Sequence, residues 1–133
     1  MTSKFDSVDI KSNFYTFRNQ VIEKYGDFYE SQVDMFFERA CYFANRGLIE
    51  QAIEEARFAY NLNHYQPENY EMVYLVGFLC ELHIQKENIR KAKSYCDLGL
   101  KLLDPSDPDY EYDYRKFKEM EEIIRGEEWK EKR

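Results

Sequence analysis

Apolar residues recur along this chain at steps of three and four and almost nowhere alternate with polar ones. That spacing belongs to helices with one buried face. In the segment at about 7–25, Ile10, Phe14, Phe17, Val21 and Tyr25 share a face. Gly26 supplies a stop and Asp27 a cap for the next helix. The second helix, about 28–46, carries Val33, Phe36, Ala40, Phe43 and Ala44, and Gly47 ends it. The third, about 49–63, has a stripe rich in small residues: Ala52, Ile53, Ala56, Ala59 and Tyr60. Pro67 suits the first turn of a fourth helix, about 68–85. That helix is apolar nearly all round its middle, which predicts a central element covered on both sides. Asn88 is placed to cap a fifth helix, about 89–103. Pro105 and Pro108 make the clearest break in the chain. A sixth helix, about 109–125, aligns Tyr110, Tyr114, Phe117 and Ile124. Beyond Gly126 the charged tail, 127–133, holds one aromatic residue, Trp129, and is expected to fray. About six helices in 133 residues describe one all-α domain.

Displacing the sequence by forty positions uncovers an internal repeat. Ile49 meets Ile89, Ala52 meets Ala92, and Leu62 meets Leu102. Phe36 meets Val76, Ala40 meets Cys80, Ala56 meets Cys96, and Ala59 meets Gly99. Large positions stay large and small ones stay small, as two helix–turn–helix units with one packing scheme require.

On these residues the chain resembles the tetratricopeptide-repeat family, whose units begin W-x2-L-G-x2-Y and continue A-x3-F and then P. The first unit, about 33–66, reads Phe36, Arg39, Ala40 and Phe43, then Gly47, Ala52, Ala56 and Ala59. The second, about 73–105, reads Val76, Leu79, Cys80 and His83, then Ala92, Cys96 and Gly99, with Pro105 one residue late. Three departures stand out. Arg39 occupies an apolar slot, where it must snorkel. Neither unit contains tryptophan, and the period exceeds the family's 34 residues. The resemblance spans Val33 to Pro105 and implies a right-handed array of antiparallel helix hairpins. Two units leave both ends of such an array open, so the flanking helices, about 7–25 and 109–125, are expected to cap it.

The resemblance also implies a function. Proteins of this family hold a peptide or helix of a partner on the concave face made by the first helix of each unit. By position, that face here includes Asp34, Phe37, Cys41 and Asn45, then Tyr74, Gly77, Glu81 and Gln85. One branch of the family clamps a C-terminal carboxylate with Lys, Asn and Arg. The corresponding positions here hold Phe37, Cys41, Tyr74 and Phe78, so the clamp is absent. A partner with apolar anchors and a Lys or Arg near Asp34 and Glu81 fits better. The flanking helices are the alternative occupants of the same face.

Charge sharpens this expectation. Nineteen basic against twenty-six acidic residues leave a net charge of −7. This balance argues against a nucleic-acid partner and against anionic membrane, both of which call for basic surfaces. It suits a basic protein partner. A basic strip from Lys86 through Arg90, Lys91 and Lys93 to Lys101 is the exception, and it lies on the second helix of the second unit. Cys41, Cys80 and Cys96 are odd in number and have no Cys-x-x-Cys spacing. They read as reduced thiols in a cytoplasmic protein. No signal segment or membrane span is visible.

Catalytic signals are absent. His83 falls in an aromatic slot and reads as a packing residue, while His64 sits at a helix end. Neither belongs to a zinc pattern, no EF-hand spacing occurs, and no glycine-rich phosphate loop is present. The expectation is a non-enzymatic adaptor without metal or cofactor. Two other readings stay open. One is a small acidic immunity protein or secretion chaperone that neutralises a dedicated partner. The other is a helical subunit of a larger protein or ribonucleoprotein assembly. Self-association is open too, since Phe5, Phe14 and Phe17 offer a face to the core or to a second copy.

Overall fold

The computed structural model describes residues 29–64 and 70–131. The helix expected at about 7–25, and the role of Pro67, lie outside the described residues. Within them are five helices and no strand: α1 (Tyr29–Asn45), α2 (Ile49–Asn63), α3 (Tyr70–Gln85), α4 (Ile89–Leu102) and α5 (Tyr110–Glu131). Each packs on the next in chain order, and α5 also touches α3. No helix among the described residues is long and apolar enough to cross a membrane.

The turns that fold α1 onto α2 and α3 onto α4 are built alike. After α1, the Gly47 amide donates to the Ala44 carbonyl (3.0 Å) and the Leu48 amide to the Phe43 carbonyl (2.9 Å). After α3, the Glu87 amide donates to the Ile84 carbonyl (3.0 Å) and the Asn88 amide to the His83 carbonyl (2.8 Å). Both are Schellman closures, which place one residue in the left-handed region. Gly47 (φ 76°) takes that position first and Glu87 (φ 63°) takes it second, forty residues on. Glycine adopts it freely, whereas a residue with a Cβ pays about 1–2 kcal/mol. Asn88 occupies the cap position of α4 as expected, but its side chain makes no capping hydrogen bond.

Packing follows the repeated small positions. Ala40, Ala52, Ala56, Ala59, Cys80, Ala92 and Cys96 are all buried, so the helix backbones approach closely. The core falls into three clusters. Val33, Phe36, Ala59 and Leu75 form one between α1, α2 and α3. Ala40, Phe43, Ala52 and Ala56 meet Leu79 and Leu82 in a second among the same helices. Met72, Val76, Cys80, Ala92 and Cys96 meet Phe117, Met120 and Ile124 in the third, between α3, α4 and α5. Helix α3 contributes to every cluster, as its all-round apolar sequence predicts. Burial of side chains such as Phe36, Leu75 and Leu79 contributes about 1.5–3 kcal/mol each. Arg39 is half-buried in its apolar slot, with its guanidinium over the Phe43 ring at 5.6 Å.

Helix α5 differs from its expected extent. It continues through Gly126 to Glu131, so the charged tail is helical rather than frayed over those residues. Lys130 pairs with Glu127 (3.2 Å), and Lys93 of α4 reaches Glu128 (3.6 Å). These exposed pairs are individually weak. Together with burial of Phe117, Met120 and Ile124, they offset the roughly 1 kcal/mol that an interior glycine costs.

Candidate functional site

The first helix of each pair and the last helix of the chain meet at one hollow. Helix α1 contributes Phe37, α3 contributes Tyr74, Gly77, Phe78 and Glu81, and α5 contributes Tyr112, Lys116 and Phe117. The hollow measures about 160 Å³. Its floor is aromatic, with Phe37 and Phe78 edge to face at 5.3 Å between centroids. Its lip carries two exposed rings, Tyr74 at 47% and Tyr112 at 67%. Exposed tyrosines beside an apolar floor are the surface composition of protein contacts.

Two further hollows open from the same place. One, of about 210 Å³, lies between α1 and α3 and adds Val33, Asp34 and Leu75 to Phe37 and Tyr74. The other, of about 230 Å³, runs from Tyr74 to the loop before α5, where Asp104, Asp107, Asp109 and Asp113 gather. Tyr74 lines all three, so the hollows form one groove with an acidic end.

The acidic end has an ordered frame. Asp104 accepts hydrogen bonds from the Ser106 amide (2.9 Å) and hydroxyl (2.8 Å), which hold its carboxyl below the usual range. Asp107 accepts from the Asp109 amide (2.8 Å). Asp113 is pushed the other way: burial first, then the Asp109 and Asp107 carboxylates, raise its pKa against the opposing pull of Lys116. Burial likewise raises the Tyr74 hydroxyl, followed by the charges of Asp113, Asp109 and Asp107 and a hydrogen bond with Asp109. Negative potential is therefore concentrated here.

Of the eight positions expected on the concave face, five line this groove: Asp34, Phe37, Tyr74, Gly77 and Glu81. Cys41, Asn45 and Gln85 line none of these hollows. Gly77 is buried rather than exposed, because the Phe117 ring of α5 lies over it, 3.3 Å from where a Cβ would stand. The last helix thus enters the groove as one wall. Tyr112, Asp113 and Lys116 were not among the expected site residues, although the flanking helices were expected as caps or as occupants of the same face. The periodicity of their helix carries no sign of which face meets α3.

Burial, then Glu38, raises the Cys41 thiol, the reverse of what a nucleophile requires. Cys80 donates to the Ala92 carbonyl (3.3 Å) and Cys96 to the Phe117 carbonyl (3.4 Å). The neighbouring Cys96 thiol, then burial, pushes the Cys80 thiol well above its ordinary value. Among the described residues, no group of three or more His, Cys, Asp and Glu side chains is disposed to hold a metal ion. No protein-family model, no curated protein and no solved structure matches the chain.

Proposed function

We propose that this protein is a non-enzymatic binding module that holds a segment of another protein in the groove between α1, α3 and α5. The supporting observation is the position of Tyr74, a half-exposed ring shared by an aromatic hollow and a four-carboxylate end. Such a groove selects a segment with one or two apolar anchors for the Phe37–Phe78 floor. It also selects a Lys or Arg for the aspartates, where a cation relieves the repulsion that Asp113 carries. In this reading the two helix pairs are successive units of a right-handed tetratricopeptide-type array, with α5 as the flanking helix that caps the second. The Schellman turns repeated at a spacing of forty residues support that assignment. Three free thiols suit a reducing, cytoplasmic compartment.

The test is a peptide array in which apolar anchors are combined with basic, neutral or acidic flanks. The wild-type protein is expected to select basic flanks. Phe37→Glu/Tyr74→Glu, first shown by circular dichroism to remain helical, should lose all selection. Asp109→Asn/Asp113→Asn should lose only the preference for basic flanks. Equal retention by wild type and a folded double-Glu variant would remove the groove as the binding site.

A further inference from the structure

A second hollow, sharing no residue with the groove, lies between α2 and the turn joining α3 to α4, and measures about 280 Å³. Its wall includes Arg57, His83, Lys86, Asn88 and Lys91. Glu50 and Glu54 line it as well. Glu50 is occupied by Lys86 at 3.1 Å, and Glu54 has an interaction of its own. Neither Arg57 nor Lys91 has a carboxylate within ion-pair distance among the described residues. Among the described residues these two cations are uncommitted.

Its wall also holds a polar group in want of a partner. His83 is only 3% exposed, stacked on Tyr95 at 5.6 Å, and its Nδ1 makes no hydrogen bond. A nitrogen buried this way is costly and calls for an explanation. Helix α4 begins at the same place, and the Asn88 side chain leaves its first amides uncapped. The positive end of a helix dipole thus adds to the two cations.

The other helix pair carries an apolar version of the same turn. Forty residues earlier the same Schellman turn carries Phe43 and Leu48, both packed into the apolar core. His83 and Asn88 stand at those two positions in the second turn. An apolar pair has been exchanged for two polar side chains that line the hollow together with Arg57 and Lys91.

We infer that this hollow is a binding site for a small oxyanion, a phosphate or carboxylate group, held by Arg57 and Lys91 and the first amides of α4 above the His83 imidazole. The His83 imidazole lines the hollow while stacked on Tyr95. Arg57 supplies a planar donor fork and Lys91 a point charge, the pairing suited to tetrahedral or planar oxyanions.

The experiment is a nuclear magnetic resonance titration of the full chain with inorganic phosphate at constant ionic strength, repeated with acetate and with chloride. The His83 ring nitrogens and the Arg90 and Lys91 amides are expected to shift saturably with phosphate or acetate and not with chloride. The tighter of the two oxyanions identifies the ligand group. Arg57→Gln and Lys91→Gln, both at exposed positions, should each weaken binding roughly tenfold, as loss of a charge-assisted hydrogen bond does. Lys101→Gln, at the far end of α4, should leave it unchanged. His83→Phe/Asn88→Leu, which copies the first turn, should stay folded and abolish the response. Drift that is linear and equal in all three salts would overturn the proposal, as would undiminished phosphate binding in the sealed variant.

Discussion

The two helix pairs make the same turn and pack the same small positions, yet they differ in what they leave available. The first pair closes with Gly47 and seals its turn with Phe43 and Leu48. The second closes with Glu87, carries His83 and Asn88 at the seal, and replaces Ala59 with Gly99. The last exchange admits another helix: the Phe117 ring of α5 lies against Gly99 so closely that a Cβ there would overlap it. Backbone hydrogen bonding thus sets the shape of a unit, while a few side chains decide what docks on it. The first unit is specialised for burial. The second gives up some turn stability and accepts α5, the groove's second wall.

The largest expected break in this comparison is at Gly99. Gly99→Ala should destabilise the protein by about 1–3 kcal/mol in urea denaturation, the usual cost of overpacking. Phe117 cannot retreat easily, because the same edge of its ring also lies against Gly77. The converse change in the first pair, Ala59→Gly, should cost about 0.5–1 kcal/mol through helix propensity alone. Equal losses at the two sites would mean that the α5 contact contributes little.

Exchanging the turn residues comes next. Glu87→Gly should stabilise by about 1 kcal/mol, and Gly47→Ala should destabilise by a similar amount, since only the left-handed backbone differs in its tolerance of a Cβ. Thermal midpoints of the two variants should move in opposite directions. A fall in both would point to a role for the Glu87 side chain that outweighs its backbone cost.

Gly126→Ala should stabilise by about 0.5–1 kcal/mol, because nothing lies within 4 Å of the new methyl and the helix is already continuous there. Hydrogen exchange of α5 should slow on both sides of the substitution. Unchanged exchange would show that the helix ends before Gly126 in solution.

The smallest effect is electrostatic. The raised pKa of Asp113 means that the folded state holds its proton more tightly than the unfolded chain does. Its contribution is therefore fully present below the ordinary carboxylate pKa and is lost as pH rises through the higher, folded value. Like-charge pairs at this spacing cost about 0.2–0.5 kcal/mol. Stability compared between wild type and Asp113→Asn across that acidic window should differ by a pH-dependent term of this size. A basic peptide in the groove would lower the Asp113 pKa again, so its affinity should climb over the same window and then level off.

Most of the local structure was legible. Ile49–Asn63 was bounded correctly at both ends, and α1, α3 and α4 ended within a residue of expectation, because Gly47 and the 86–88 turn interrupt strong helical periodicity. The repeat of forty was legible in paired residue sizes and reappears in the hydrogen bonding of the turns. The end of α5 was not legible. Gly126 carries the local signature of a stop, but contacts of α5 with α3 and α4 outweigh one glycine. For the groove, the contribution of α1 and α3 could be inferred from repeat position. A flanking helix on this face was one of two expected alternatives, but which α5 residues form the wall, and the gathering of Asp104, Asp107, Asp109 and Asp113 around Tyr74, could not be inferred, since they depend on how a helix distant in sequence is seated.

The sequence by itself determined that this chain is helical, that two of its helix pairs share one packing scheme, and which positions must be small. Those properties are local or periodic, and they follow from backbone sterics and the spacing of apolar side chains. Tertiary structure alone decided that Phe117 settles against Gly77 and Gly99, that Tyr74 joins an aromatic floor to an acidic end, and that His83 shares a hollow with Arg57 and Lys91. Each depends on the rotation and offset of one helix against another. Interlocking side-chain shapes choose that geometry, and no periodicity within a single helix encodes it.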